Sequence, residues 1–167
     1  YAEHKIEIAK NTGPLHDIRN AINQKNHGKN GDILAYSQLE KQDIPLTDRG
    51  IIVSAIGNHD KSTWGAVDAV SAVLILADKT DVRRNRVRNE EKSGFDKHDR
   101  VNYAVTNATV KVNVQKRSIT LNLQIDEDIC TMYEYFEIFL GRMMMCRKAA
   151  ELLGAKFKLT ANGSKVL

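Results

Sequence analysis

The segment VNYAVTNATVKVNVQKRSITLNLQID, residues 101–126, alternates apolar and polar side chains in two runs separated by QKR. Alternation with a period of two is typical of half-buried β-strands, and a short polar stretch between two such runs is typical of a turn. Before about residue 90 the apolar residues recur at helical spacing instead. This change of period predicts an α+β protein in which a helical region precedes a strand-containing region.

The residues that follow the two predicted strands complete a small second domain. The segment DEDICTMYEYFEIFLGRMMMCRKAAELLG, residues 126–154, predicts a helix that begins at Asp126 or Asp128 and ends at Gly154. The predicted buried face of this helix consists of Ile129, Met132, Tyr133, Phe136, Leu140 and Met143. AKFKLTANGSKVL then predicts two short strands around an Asn-Gly turn. Residues 98–167 are therefore predicted to form a small ββαββ unit.

Residues 1–92 predict an all-α domain whose helices are joined by short loops. The candidate helices are KIEIAKNTG, interrupted by Gly13 and Pro14, DILAYSQLEKQ, DRGIIVSAIGNHD, and the long GAVDAVSAVLILADKTDVRRNRVR, which becomes cationic towards its end. RNEEKSGFDKHDR, residues 88–100, is dense in charge and contains Gly94, so it predicts a linker between the two domains.

Composition limits the classes of protein to which the chain can belong. Its 167 residues are 42% hydrophobic and 28% charged, which is the balance of a globular protein rather than a disordered one. No apolar run approaches the roughly 20 residues that cross a bilayer, so no membrane partner is expected. Cys130 and Cys146 are predicted on one helix about 24 Å apart, which is too far for a disulfide. Free thiols predict a reducing compartment, and hence the cytoplasm.

Four short motifs place metal-binding side chains in the helical region. They are HD (His16 and Asp17), NHG (His27), NHD (His59 and Asp60) and ADKTD (Asp78 and Lys79). Mixed imidazole and carboxylate ligands suit Mn²⁺, Fe²⁺, Ni²⁺ or Zn²⁺ better than Ca²⁺. Asp78 and Lys79 follow an apolar run, where charges are costly unless they meet a partner or an ion. The alternative is a helix that emerges into solvent with Asp78, Lys79 and Asp81 at its exposed end.

The order of these motifs on successive helices resembles the HD-domain superfamily of metal-dependent phosphohydrolases, and in particular a bacterial and archaeal branch with an α+β tail. The resemblance covers about residues 5–90 and implies that His16, Asp17 and Asp78 are metal ligands. It also implies that His27 and His59 bind a second metal or the substrate phosphate, and that Asp60 orients His59 or joins the second metal site. The family has a further histidine upstream of the HD pair, which here lies on a helix before Tyr1 or is absent.

The activity implied by the resemblance is hydrolysis of a phosphate ester or anhydride, with a nucleotide as the favoured substrate. The implied cofactor is one or two divalent ions of Mn, Fe, Mg, Ni or Zn, and Asp17 would bridge the ions if two bind. Asp17 and Lys79 are the predicted catalytic residues. The cations predicted to contact substrate phosphate are Arg19, Lys79, Arg83 and Arg84. Arg19 stands where the family often has Gly, so it either binds phosphate or crowds the metal.

Two other functions stay open at the level of the sequence. The first is a degenerate HD domain that binds metal or nucleotide without turnover, which Arg19 and the unmatched histidine favour. The second is a nucleic-acid-binding module built on the basic balance of +4 and the alternating strands. Because the strands expose Thr, Lys and Asn rather than stacking aromatic residues, nucleic acid is disfavoured as a partner. The strand edges and the apolar helix leave a homodimer open.

Overall fold

The computed structural model describes residues 2–17, 31–59, 65–87 and 95–167. These residues form six α-helices and one four-stranded mixed sheet, so the predicted α+β class is confirmed. The chain divides into two compact units, Tyr1–Ala77 and Asp78–Leu167. The sequence places the domain boundary at residues 93–97 instead, a segment that lies partly outside the described residues, and the assignment of domains 1–92 and 98–167 stays a prediction. None of the described helices is long and apolar enough to cross a bilayer.

The N-terminal unit is built from helices. Its elements are α1 (Ala2–Leu15), α2 (Gly31–Lys41), α3 (Leu46–Gly57) and most of α4 (Ala69–Thr80). Their apolar side chains share one core, which includes Ile8, Ala35, Leu39, Ile52, Ala55, Ile56, Val70 and Leu74. The predicted interruption at Gly13 and Pro14 is wrong, because α1 continues to Leu15. Pro14 has no backbone N–H to donate, so the last turn of α1 lacks one hydrogen bond of the helical pattern.

His4, to which the sequence assigns no role, links α1 to α3 through a side-chain hydrogen bond. The Nε2 atom of His4 lies 3.0 Å from Oδ1 of Asp48, in the first turn of α3. The Asp48 carboxylate is nearly buried, so a hydrogen-bond partner for it lowers the free-energy cost of its burial. The two residues are 44 positions apart, and no local pattern could have predicted the contact.

The last helix of the helical region is shorter than its sequence predicts. Helix α4 ends at Thr80, and Arg83 is extended, with φ −119° and ψ 155°. A single 3₁₀ turn follows at Arg84–Arg86, so the arginines do not continue α4 and that prediction is wrong. Val82, two residues after the end of α4, is fully buried.

The C-terminal unit contains the predicted ββαββ order, preceded by one more helix. Its elements are α5 (Lys97–Ala104), β1 (Val105–Asn113), β2 (Ser118–Ile125), α6 (Met132–Leu152), β3 (Lys156–Ala161) and β4 (Ser164–Lys165). The strand order is β1-β2-β3-β4, with antiparallel β1–β2 and β3–β4 pairs and a parallel β2–β3 pair. Helix α6 is therefore the crossover connection that a parallel pair requires.

Helix α5 occupies residues that the sequence predicts as the end of a linker and the start of a strand. The side chain of Asp96 accepts a hydrogen bond from the backbone N–H of Asp99 and so caps the helix. Val101 and Ala104, one turn apart, are both fully buried. The predictions of a linker to residue 100 and of a strand from residue 101 are wrong, because this cap and this apolar pair stabilise a helix instead.

Helix α6 begins later than predicted and buries a different face. Its N-cap is Thr131 rather than Asp126 or Asp128, and its buried face is Tyr135, Phe139, Met143, Cys146, Ala149 and Ala150. Of the predicted buried residues, Met143 is buried, whereas Tyr133 is 78% and Leu140 52% exposed. The helix has apolar residues of its own on several sides, so periodicity alone does not determine which of these residues face the sheet. Cys130 precedes the helix, and both cysteines are buried free thiols.

The start of α6 is stabilised by a reciprocal cap and an ion pair. The Thr131 hydroxyl accepts a hydrogen bond from the Glu134 N–H, and the Glu134 carboxylate accepts one from the Thr131 N–H. Arg100 donates to the same carboxylate at 2.7 Å. The Arg100 guanidinium and then the Thr131 donors lower the pKa of Glu134 from 4.5 to about 2. A depressed pKa means that this stabilisation is complete above about pH 4.5 and is lost as the pH falls towards 2.

We expect Thr131→Ala to lower the free energy of unfolding by about 1 kcal/mol at neutral pH, because it removes the hydroxyl that accepts the hydrogen bond of the Glu134 backbone N–H. Thr131→Ser keeps the hydroxyl and should retain most of the stability. Urea unfolding followed by circular dichroism measures both variants. Equal destabilisation by the two substitutions would contradict a capping role for the hydroxyl.

The sheet has one covered face and one open face. Ile119, Leu121, Leu123, Phe157 and Leu159 are buried on the covered face, on the side of the buried residues of α6. Alternation along each strand sends the intervening residues to the other side. We call this side the open face, although Ser118 on it is buried. Its residues are Asn107, Thr109, Lys111, Asn113, Ser118, Thr120, Asn122, Gln124, Lys156, Lys158, Thr160 and Lys165.

Candidate functional site

His16 and Asp17 lie in the turn that ends α1. The backbone N–H of His16 donates to the Thr12 carbonyl at 3.1 Å, which continues the helical hydrogen-bond pattern by one residue. The Nδ1 atom of His16 bonds to the Gly13 carbonyl oxygen. Because a carbonyl oxygen only accepts hydrogen bonds, Nδ1 carries the proton, and Nε2 is the basic nitrogen of the neutral ring. That Nε2 atom is 3.5 Å from Oδ2 of Asp17.

His59 repeats this arrangement at the end of α3. Asn58 closes the helix by donating its backbone N–H to the Ser54 carbonyl, and His59 follows directly. The Nδ1 atom of His59 donates to the Ile56 carbonyl, three residues earlier, as His16 donates to Gly13. Both imidazoles therefore bond to carbonyls at a helix C-terminus, where the partial negative charge also favours a cation. The same local hydrogen bond, from Nδ1 to the backbone carbonyl three residues earlier, therefore fixes the orientation of both histidines.

The two imidazole rings come together in space. Their centroids are 5.4 Å apart and their planes are perpendicular, an edge-to-face contact between the ends of α1 and α3. The side chain of His16 is 19% exposed and that of Asp17 is 50% exposed, so the pair is accessible from solvent on the carboxylate side. Of the predicted site residues in the N-terminal unit, His16, Asp17 and His59 thus form one cluster, which we call the histidine pair with its carboxylate.

Asp78 and Lys79 belong to the C-terminal unit and form an ion pair with each other. Lys79 Nζ donates to Asp78 Oδ2, and the two side chains are only 9% and 13% exposed. Burial raises the pKa of the Cys146 thiol to about 12, and Lys79 and Asp78 also act on it, with opposite signs. The solvent-exposed alternative for Asp78 and Lys79 is therefore wrong, since Lys79 is buried, Asp78 is half-buried, and the two charges are paired.

Two of the predicted phosphate-binding arginines already have partners. Arg83 Nε is 2.8 Å from Asp81 Oδ1, and both side chains are partly exposed. Arg84 donates through Nε to the Tyr103 carbonyl at 2.7 Å, and its guanidinium lies 4.3 Å from the centroid of the Tyr103 ring. It also lies 3.6 Å from the Asp126 carboxylate. Arg84 is held by contacts within its own unit, which suits a structural role better than substrate binding.

Three further predicted site residues, Arg19, His27 and Asp60, lie outside the described residues, and their roles stay predictions. Within residues 2–17, 31–59, 65–87 and 95–167, no group of three or more His, Cys, Asp or Glu side chains is arranged to hold a metal ion. The described part of the chain thus contains two oriented imidazoles and a neighbouring carboxylate, and does not by itself contain a complete ligand shell.

Comparison of the chain with models of protein families, with curated proteins and with solved structures gives no match. The likeness to the HD-domain superfamily therefore rests on the four motifs alone and stays a prediction.

Proposed function

We propose that the chain is a metal-dependent phosphohydrolase that acts on a phosphate ester or anhydride, with a nucleotide as the favoured substrate. The observation that carries the proposal is the histidine pair with its carboxylate. The two imidazole rings have centroids 5.4 Å apart, and a backbone carbonyl orients each of them through Nδ1, so that Nε2 is the basic nitrogen of each ring. Nε2 of His16 lies beside the Asp17 carboxylate. Backbone carbonyls orient metal-binding histidines in this way in many proteins.

The donor set fits a divalent transition metal in kind. Imidazole nitrogens together with a carboxylate suit Mn²⁺, Fe²⁺, Ni²⁺ or Zn²⁺, and Mg²⁺ would use the carboxylate. His16 and Asp17 would hold the ion, and the resemblance also gives a ligand role to Asp78. It implies that His27 binds a second metal or the substrate phosphate, and that Asp60 orients His59 or joins the second metal site. A divalent ion bound here would supply a water of lowered pKa and a Lewis acid for the phosphoryl oxygen.

The protein's own groups contribute orientation and charge. The Gly13 and Ile56 carbonyls hold His16 and His59 in one tautomer, which keeps the basic nitrogen of each ring defined. The Asp17 carboxylate beside His16 favours a cation at this place. His59, when protonated, would donate a hydrogen bond to a substrate phosphate oxygen, an interaction that strengthens as charge develops on that oxygen.

Location and assembly are part of the same proposal. Two buried free thiols agree with a reducing compartment, and we propose the cytoplasm on this ground. Val110, Val112 and Val114, at or beside the edge strand β1, are all exposed, which is a surface that a second copy of the chain could cover. A homodimer through this edge is compatible with a small phosphorylated molecule as the substrate.

We expect His59→Ala to keep most of the tightly bound metal and to lower turnover by about 10²-fold, the scale for losing one positioned catalytic group. The measurements are metal content by mass spectrometry and hydrolysis of a panel of phosphate esters with Mn²⁺, Mg²⁺ and Ni²⁺. His98→Ala, on α5 in the other unit, is the matched control and should leave both unchanged. His16→Ala removes a proposed metal ligand and should lose the metal. If His59→Ala loses the metal as completely, His59 is a metal ligand instead.

The same panel separates the enzyme from a degenerate HD domain. Stoichiometric metal with no hydrolysis of any ester, nucleotide or dinucleotide would favour metal or nucleotide binding without turnover. Hydrolysis that disappears with chelation and returns with added metal would support the phosphohydrolase.

A further inference from the structure

The open face of the sheet in the C-terminal unit is entirely polar and carries charge of one sign. Its lysines are Lys111 on β1, Lys156 and Lys158 on β3, and Lys165 on β4, and all four are exposed. Asparagine, glutamine, serine and threonine supply its other side chains, and among the described residues that alternate onto this face there is no carboxylate.

Strand register spaces the four lysines across the face. Lys111 and Lys158 both align with Thr120 of β2, which lies between their strands, so they lie in one cross-strand row about 10 Å apart. Lys156 and Lys158 are two residues apart on β3, which separates them by about 7 Å along the strand. Lys165 pairs with Thr160 and extends the array beyond β3. The ammonium groups therefore spread over a broad surface instead of forming one compact pocket.

These lysines differ from most cations elsewhere in the same unit. Lys97 pairs with Glu137, Arg100 with Glu134, and Arg147 with Glu151, at N–O distances of 2.9, 2.7 and 3.0 Å. No carboxylate within the described part of the chain pairs with any of the four lysines on the open face. A group of like charges without counter-charges produces a positive potential that attracts polyanions.

We propose that the open face binds the phosphodiester backbone of a double-stranded nucleic acid without reading its bases. Lysine, asparagine and threonine are residues that contact phosphate and sugar oxygens, and such contacts carry no sequence information. The open face has no aromatic side chain, which argues against a single strand, because single strands are held by base stacking. The low aromatic content of the strands thus disfavours base stacking and leaves backbone binding intact. This inference concerns the C-terminal unit alone and is independent of the proposed hydrolase.

The test is a fluorescence anisotropy titration of the full chain against a labelled duplex of mixed sequence at several salt concentrations. If each of four lysines neutralises one phosphate, log Kd rises with log salt with a slope of about 3 to 4. The affinity should then fall by about 10²-fold between roughly 50 and 200 mM salt. A scrambled duplex should bind within about twofold of the first, since backbone contacts do not distinguish sequences.

Matched variants assign the effect to the open face. Lys111→Gln with Lys158→Gln should lower the salt slope by about 2 and weaken binding at low salt by about tenfold or more. Lys97→Gln with Lys148→Gln removes the same charge from exposed positions on α5 and α6 and should change the affinity by less than about twofold. Thermal melts of both pairs check that the variants are folded.

Three results would overturn the proposal. The first is equal loss of affinity in the two variant pairs, which would mean that net charge alone drives binding. The second is tighter binding of a single strand than of a duplex of equal length. The third is binding to vesicles of anionic lipid at least as tight as binding to the duplex, which would make a membrane surface the better partner.

Discussion

Asp17→Ala should lower the proposed phosphohydrolase activity by about 10³-fold or more and should abolish metal retention. A carboxylate that binds a metal ion directly supplies negative charge that a water molecule cannot replace. Asp17 is also the carboxylate next to the histidine pair, 3.5 Å from the basic nitrogen of His16, and is half exposed. Its loss therefore removes charge at the proposed metal position while disturbing little of the core.

The control for Asp17→Ala is Glu7→Ala, which removes one negative charge from an exposed position on α1 of the same unit. Glu7→Ala should keep the activity and the metal. The comparison separates the effect of losing any negative charge from the effect of losing the charge at Asp17. A fully metal-loaded Asp17→Ala protein would contradict the role of Asp17 as a ligand. Thermal melts of both variants establish that they are folded.

Asp78→Ala should destabilise the protein by about 3–5 kcal/mol, because it leaves the Lys79 ammonium buried without its counter-charge. The two side chains are 13% and 9% exposed, so neither charge can be compensated fully by water. Lys79→Met should also destabilise the protein, because it removes the ion pair while the Asp78 carboxylate keeps its charge. Asp78→Ala with Lys79→Met removes both charges and should recover most of the lost stability, since apolar replacements of buried pairs are often neutral.

The double variant also tests the role that the HD resemblance gives to Asp78. If Asp78 is a metal ligand, the double variant is stable and has lost its metal. If Asp78 serves only as the partner of Lys79, the double variant is stable and keeps its metal. Urea unfolding and metal analysis of the same samples measure both quantities. Additive destabilisation by the two substitutions would contradict the ion pair as a coupled unit.

The sequence predicts the fold class and the order of the strands and helix after residue 104, because strand alternation and the Asn-Gly turn are local signals. It does not predict α5, because the cap at Asp96 lies in a charged segment that reads as a linker. Nor does it predict the buried face of α6, where Tyr135 and Phe139 face the core and Tyr133 does not. Several phases of an apolar helix satisfy the same pattern, and packing against the sheet selects one of them.

The candidate site is predicted less completely than the fold. The motifs identify His16, Asp17 and His59 as candidates. They do not predict that the ring centroids of His16 and His59 lie 5.4 Å apart, or that each Nδ1 bonds to a backbone carbonyl, because this depends on how α1 and α3 pack. For Asp78 and Lys79, the free-energy cost of charges after an apolar run predicts a partner or an ion, and in the structure the two residues form an ion pair with each other. The cationic open face could not be predicted from the sequence, because only the register of the strands places Lys111 and Lys158 in one row.

The metal content of the purified full chain tests the central claim most directly. After expression and purification without added metal, mass spectrometry should find about one equivalent or more of a divalent transition metal per chain. Removing this metal with a chelator should abolish hydrolysis of the phosphate ester that the chain cleaves best, and adding it back should restore the activity. A chain that binds no metal even after incubation with Mn²⁺, Ni²⁺ and Zn²⁺, or that hydrolyses the ester equally well in the chelator, would contradict the claim.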